Sequence, residues 1–208
     1  MVVKATVAHL RITEIPTTLS PDGRNRPPHL KSWRDGWRHL RFLLLFSPRG
    51  LFLYPGCVLF FGGILLVFRL AVGPIRLGAV TLDIHTMLYA GAAAVVGWQS
   101  IIFWVCAKVH GMREGIVPED QAFRSALRSF SLERALLLSF VLLVLGLALG
   151  AYVLGQWGRR DFGSLQPTET MRLVIPSVTA VLLAAETAYG AAFLAVLHIR
   201  RSGGAAAR

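Results

Sequence analysis

The chain has 208 residues, of which 54% are hydrophobic and 16% are charged, and its mean hydropathy of +0.57 is well above that of an average soluble domain. These values exclude an ordinary soluble domain and predict a membrane protein. The formal charge of +11 does not point to nucleic acid, because the sequence contains no recognised reader module and because lipid head groups and membrane topology also select Lys and Arg.

The first part of the chain predicts the end of an α/β unit. A helical stretch, "MVVKATVAHL", precedes a strand-like "LRITEIPTT", in which Ile12 and Ile15 are the apolar residues and Pro16 ends the strand. A single short strand is not stable alone, so it implies further strands. The next stretch, "PDGRNRPP", cannot continue a helix because its prolines lack amide donors, and it places Arg24 and Arg26 on an extended or turning loop.

Residues 30–48 predict an amphipathic helix that lies at the membrane interface. Apolar and basic residues both recur every three or four positions, which places them on two stripes about 100° apart. One stripe suits the head-group level of a bilayer and the other suits phosphate, so Trp33 and Trp37 are the expected anchors on the apolar side. The basic stripe consists of Lys31, Arg34, Arg38 and Arg41.

Four apolar segments follow, and each is long enough to cross a hydrocarbon core, which takes about 20 helical residues. The fold class that we predict is therefore a mainly α, polytopic membrane protein: four transmembrane helices preceded by a small α/β remnant and the interfacial helix. The four-helix transmembrane domain covers residues 49–200, and residues 201–208 form a tail. The spans are about 51–72, 87–107, 135–157 and 173–197.

The loop between the second and third spans predicts a short amphipathic helix. Pro118 suits a first helical position, and Glu119 and Asp120 suit the positive end of the helix dipole. Phe123 and Leu127 then recur at helical spacing beside basic residues. We expect this helix to lie on the inner leaflet.

The third span contains "GLALG", in which Gly146 and Gly150 lie one turn apart. This small-xxx-small spacing lets two helices approach closely. It predicts packing within the chain first, and contact with a second copy second.

The fourth span carries one ionisable residue near its middle, Glu186. A charged group at that depth is costly, so Glu186 should face a partner such as Gln99, Ser100 or Ser139. We expect a neutral, hydrogen-bonded Glu186 that joins helices. The alternative is a proton or substrate relay.

The basic residues predict the topology. Seventeen of the 22 Lys and Arg residues lie before the first span, between the second and third spans, or after the fourth span, and five lie at the other positions. The positive-inside rule therefore places both termini and the middle loop in the cytoplasm, with the chain in the inner (plasma) membrane as a multi-pass protein.

Residues 2–49 resemble the part of polyprenyl-phosphate (dolichol-phosphate type) family 2 glycosyltransferases in which the type A catalytic domain passes into interfacial helices and membrane spans. The resemblance is carried by a helix, an I-x-E-I-P strand, a Gly/Arg-rich loop and the "SWRDGWRHLRFLLLFSPR" lead-in. Beyond residue 49 it depends on hydropathy and the four-span layout. It implies that residues 1–29 are the end of that catalytic domain and that the chain is the C-terminal portion of such an enzyme.

The resemblance also implies a function and a site. Similar enzymes transfer a sugar from a nucleotide sugar to a polyprenyl phosphate on the cytoplasmic leaflet, and basic residues just after the E-I-P strand help to hold the lipid phosphate. By position, Arg24 and Arg26 match these residues, and Lys31 matches them less closely. Arginine suits the task because its guanidinium can bind phosphate oxygens bidentately.

The chain departs from this family in one respect that concerns catalysis. Full-length relatives carry an Asp-x-Asp motif that holds Mg²⁺ or Mn²⁺ against the sugar nucleotide, and this sequence contains no Asp-x-Asp. We therefore assign no catalytic residue, no metal ligand and no cofactor to this chain. We expect it to be catalytically incomplete alone.

Two alternatives to this membrane-anchoring role remain open at the level of sequence. One is a stand-alone four-span lipid or small-solute carrier that uses Glu186. The other is a structural partner in a membrane assembly. The expected partners are membrane lipid and polyprenyl phosphate, with a separate catalytic domain or a second copy of the chain as protein partner and no nucleic acid.

Overall fold

The computed structural model describes residues 10–11, 13–18, 33–38, 40, 49–114, 117, 120–129 and 131–198. Within these residues a π-helical turn leads into five α-helices, and a two-stranded sheet lies between the first two. Four of the helices are long and apolar enough to cross a membrane. The predicted mainly α fold with four spans is confirmed.

The elements have the following bounds in chain order. The π-helical turn is Arg49–Leu53, α1 is Tyr54–Val72, β1 is Ile75–Leu77, β2 is Val80–Leu82, α2 is Ile84–Arg113, α3 is Gln121–Ser129, α4 is Leu132–Gly158 and α5 is Pro167–His198. Helices α2 and α5 extend beyond the predicted spans, because hydropathy marks only the part of a helix that suits hydrocarbon.

The described residues before Arg49 include a short helical segment but no strand. Residues 10–11 and 13–18 form neither helix nor strand, so the strand expected around Ile15 is absent from them. A strand requires a pairing partner, and the two strands that pair are β1 and β2 instead. Residues 33–38 are helical, as predicted, and the remainder of the 30–48 segment lies outside the described residues except for Leu40.

The four long helices follow the packing order α1, α2, α5, α4. Small residues allow the first pair to approach closely: a Cβ on Gly63 would lie 2.6 Å from the Ala90 carbonyl oxygen, and one on Gly56 would lie 3.0 Å from that of Gly97. Such close backbone contact drives helix association in lipid, where apolar side chains gain nothing from leaving water. Helices α2 and α5 are therefore central, and α1 and α4 present broad apolar faces outward.

The end of the bundle that carries the strands is closed by a packed core and an ion pair. Val67, Leu70, Met87, Ala90 and Ile175 form the buried cluster there. Arg172 of α5 donates to the Asp83 carboxylate just before α2 and, over 2.5 Å, to the Leu70 carbonyl oxygen in α1. One guanidinium therefore ties three helices together at this closed end.

Candidate functional site

The opposite end of the bundle contains a cavity of about 1060 Å³ between α2, α3, the start of α4 and α5. Its walls are mainly apolar and include Ile102 and Val109 from α2, Leu127 from α3, and Ala191 and Leu194 from α5. Ligand sites in proteins are typically concave and mostly apolar, with a few polar groups that set the orientation of the ligand. This cavity is the candidate functional site.

The two limits of the cavity differ in chemistry. Arg113 at the end of α2 and Arg124 of α3 line the cavity at the end nearest the loop between α2 and α4. At the other limit, the indole N–H of Trp98 donates to Thr187 Oγ1 over 3.0 Å, and that hydroxyl donates to the Leu183 carbonyl oxygen. From Trp98 to Arg113 helix α2 rises roughly 22 Å over 15 residue steps, which is a large part of the ~30 Å hydrocarbon core. The site is an apolar slot with a basic mouth.

Helix α3 forms one wall of this slot, and the Asp120 carboxylate at its start links it to α2 and to the π-helical turn. Asp120 caps the helix, because its Oδ1 accepts from the Phe123 N–H over 3.0 Å. Its Oδ2 lies 2.6 Å from Lys108 Nζ of α2 and 3.4 Å from an Arg49 guanidinium nitrogen. The Lys108 hydrogen bond, with the backbone hydrogen bond from Phe123, lowers the pKa of Asp120 below its ordinary value. The carboxylate therefore stays ionised well into the acidic range.

Lys108 is buried although it carries a charge. Only 5% of the residue is exposed, and its ammonium lies 4.1 Å from the centre of the Phe123 ring and 5.5 Å from that of Trp104. The two rings meet edge to face with centroids 5.4 Å apart. The ring faces and the Asp120 carboxylate together compensate for the lost hydration of the ammonium. This contact fixes α3 against the bundle and so shapes the slot.

The predicted lipid-phosphate residues Arg24, Arg26 and Lys31 lie outside the described residues, as does Arg41. The other predicted interfacial residues occupy the helical segment 33–38. Trp33 is 89% exposed and Trp37 is 59% exposed, and Arg34 and Arg38 are also exposed. Exposure of two tryptophans suits the membrane anchor that the sequence predicts, and the anchoring role stays a prediction.

Glu186 lies half-buried at the contact between α5 and α2, against Gln99. With its amide nitrogen turned toward α5, Gln99 donates to the Glu186 carboxylate. The two serines proposed as partners are engaged elsewhere: Ser100 donates to the Val96 carbonyl oxygen and Ser139 donates to that of Ala184, each over 2.8 Å. The arrangement favours a residue that joins helices over a relay.

Gly146 and Gly150 face α5 within the chain. A Cβ on Gly146 would lie 2.9 Å from the Ser177 carbonyl oxygen, and one on Gly150 would lie 3.1 Å from Ser177 Oγ. Ser177 Oγ itself donates to the Gly146 carbonyl oxygen over 2.7 Å. The motif therefore serves contact between α4 and α5, which is the first of the two uses predicted from the sequence.

The described part of the chain contains no group of three or more His, Cys, Asp or Glu side chains placed to hold a metal ion. The Mg²⁺ or Mn²⁺ that the resemblance implies for full-length relatives has no fitting ligand set among these residues.

Sequence reasoning did not identify Trp104, Lys108 or Asp120 as a unit. Two signals were present: Trp104 and Lys108 are one turn apart on one helix face, and Asp120 directly precedes an amphipathic stretch, as an N-cap does. Neither signal indicates that the two segments meet. The α3 helix itself was predicted, but its start at Gln121 makes Asp120 the cap and not a residue of the first turn.

Residues 105–198 match the family model described as the glycosyltransferase family 2 C-terminal transmembrane region. The chain is also 31% identical over 199 residues to the low-salt glycan biosynthesis hexosyltransferase Agl6 of Haloferax volcanii. That alignment covers 95% of this chain and 46% of the relative, so the chain spans about half the length of the curated protein that it matches. No solved structure matches the chain.

Proposed function

The chain carries the C-terminal transmembrane region of a family 2 glycosyltransferase, and on that premise we propose that it binds a polyprenyl phosphate, the sugar acceptor, at the cytoplasmic leaflet of the inner (plasma) membrane. In this role it is the membrane-anchoring and acceptor-binding part of the enzyme. The sugar comes from a nucleotide sugar on a catalytic domain. That domain supplies the Asp-x-Asp chemistry that this sequence lacks.

The observation that supports this function best is the polarity of the cavity. A polyprenyl phosphate is a long apolar chain with a dianionic end, and the slot pairs apolar walls with Arg113 and Arg124 at one limit. Guanidinium groups suit phosphate because they present several donors in a planar fork. A soluble nucleotide sugar would leave the apolar walls without a matching partner.

The charge distribution supports the cytoplasmic placement. The slot opens at the end of the bundle that carries α3 and the beginning of α1, and the Arg49 contact with Asp120 brings those two segments together. The stretch before the first span and the loop between the second and third spans, to which these segments belong, contain 14 of the 22 Lys and Arg residues. Under the positive-inside rule both termini and the mouth of the slot face the cytoplasm, where nucleotide sugars are available.

The N-terminal basic residues have a place in the same function. The loop that carries Arg24 and Arg26, with Lys31 just beyond it, leads into the segment that ends at Arg49, beside the mouth of the slot. We propose that this loop holds the phosphate from the cytoplasmic side while the slot holds the isoprenoid chain. The Trp33 and Trp37 helix then keeps the loop at head-group depth.

The test uses the chain in lipid nanodiscs with a radiolabelled polyprenyl monophosphate. We expect the wild-type chain to bind the lipid, and we expect Leu127→Trp, which fills the slot from α3, to bind it at least tenfold more weakly. Gln121→Trp is the matched control, because Gln121 is exposed on the same helix and is not part of the cavity lining. Wild-type binding no greater than that of empty nanodiscs would show that the proposed function is wrong.

A further inference from the structure

The wall of the slot contains two tryptophans whose indole N–H groups are in opposite situations. That of Trp98 donates to Thr187 Oγ1 within the protein. That of Trp104 is buried and has no acceptor among the residues that the structure describes. A buried donor without a partner is destabilising, so such a group commonly marks a place where something else binds.

Trp104 is also held in place by its neighbours. Phe123 of α3 meets the indole edge to face, and the Lys108 ammonium lies 5.5 Å from the indole centre. The indole ring is therefore packed into the wall of a ligand-sized cavity, with its N–H buried.

The depth of Trp104 indicates which part of a ligand it meets. It lies one turn before Lys108, and Lys108 stands at the predicted boundary of the second span near residue 107. Helix α3, which carries Arg124 into the lining, packs on Trp104 through Phe123. The indole is thus at the level where a lipid tail ends and its head group begins, the level that tryptophan prefers in membranes.

From these observations we propose that the indole N–H of Trp104 donates a hydrogen bond to a phosphate oxygen of a lipid seated in the slot. The inference deepens the proposed function and depends on it for the identity of the lipid. Phosphate-bearing lipid of the bilayer shares the same chemistry and is the other possible source. Because the N–H is buried, a ligand oxygen reaches it as the ring shifts toward the cavity, and the contact with Phe123 changes with that shift.

The experiment combines a binding measurement with a direct observation of the N–H group. The chain carries ¹⁵N-indole tryptophan in nanodiscs of neutral lipid and is titrated with farnesyl phosphate, with farnesol as the uncharged control. We expect the Trp104 Nε1–H resonance to move downfield with farnesyl phosphate only. Trp104→Phe should weaken farnesyl phosphate binding about tenfold and leave farnesol binding unchanged, since a hydrogen bond to a charged group is lost.

Trp98→Phe is the matched control in the same cavity, because the N–H that it removes is already bonded to Thr187. It should leave farnesyl phosphate affinity within about twofold of wild type. If wild type binds farnesyl phosphate and Trp104→Phe binds it equally well, the inference is overturned while the proposed function stands. A parallel titration with phosphatidylglycerol tests the other lipid source: if it alone moves the Trp104 resonance, the donor role is supported and the polyprenyl assignment fails. If neither lipid moves the resonance, the donor role is overturned, and the binding measurement with farnesyl phosphate decides the polyprenyl assignment separately.

Discussion

The two ends of the helix bundle use a basic residue and one carboxylate in different ways. At the closed end, the Arg172 guanidinium reaches both Asp83 and the Leu70 carbonyl oxygen and lies over a packed apolar core. At the open end, Lys108 pairs with Asp120, its carboxylate partner among the described residues, and lies over the rings of Phe123 and Trp104 beside a cavity. The planar guanidinium of Arg172 can contact three elements at once, whereas the ammonium of Lys108 holds one helix. The first end is therefore closed by these contacts, and the second end keeps a cavity.

The largest effect on stability is expected when the contacts of Arg172 at the closed end are removed. Arg172→Ala removes a mostly buried guanidinium and the charged hydrogen bond that it donates to the partly exposed Asp83, so we expect the free energy of unfolding to fall by about 2 kcal/mol. Denaturant unfolding in mild detergent measures this change. Arg69→Ala is the control, because Arg69 is exposed and, among the described residues, donates to the Gly73 carbonyl oxygen just past its own helix. Equal stability of the two variants would show that the contacts of Arg172 do not stabilise the closed end.

A smaller and local effect is expected at the open end. Asp120→Asn keeps a helix cap but removes the charge that Lys108 and Arg49 contact, so α3 should detach without unfolding the bundle. Nine-residue helices are marginal on their own, and we expect hydrogen exchange in residues 121–129 to accelerate at least tenfold. Arg49→Gln is the control, since its exposed 3.4 Å contact contributes little. Unchanged exchange in Asp120→Asn would mean that α3 is held by other contacts.

The attachment of α3 at the open end is expected to depend on pH. The pKa of Asp120 is lowered in the folded chain, so the docking of α3 is fully present above the unfolded value near 3.9 and is lost as the pH falls through the lowered value. We expect α3 amide resonances to keep their shifts from about pH 7 to about pH 4 and to change only below that range. Asp120→Asn should show no such transition. A transition near neutral pH would contradict this assignment.

The smallest effect is expected between the two ends. Glu186→Gln keeps a hydrogen-bonding partner for Gln99, so we expect stability to change by no more than about 0.6 kcal/mol, the average for such contacts in membranes. Thermal unfolding in nanodiscs measures the change. Lipid binding should also stay the same, and a loss of binding at unchanged stability would favour the relay that the sequence left open.

The sequence predicted some of the contacts and missed others for identifiable reasons. Gln99 was among the residues proposed for Glu186, because a polar side chain in hydrocarbon has few possible partners. The short α3 helix was predicted from Phe123 and Leu127, whose spacing is local. The Lys108–Asp120 contact was not predicted, since neither residue is unusual within its own segment. The phosphate-binding role of Arg24 and Arg26 stays a prediction.

By itself the sequence determined that this is a membrane protein with four spans, and the distribution of Lys and Arg predicts which loops face the cytoplasm. These are properties of single segments in contact with a solvent, so composition and period are enough to reveal them. Only the tertiary structure decided the packing order α1, α2, α5, α4 and the cavity beside Trp104. In lipid all apolar faces are alike, and the choice of neighbour depends on close contacts between small and polar residues that are distant in the chain.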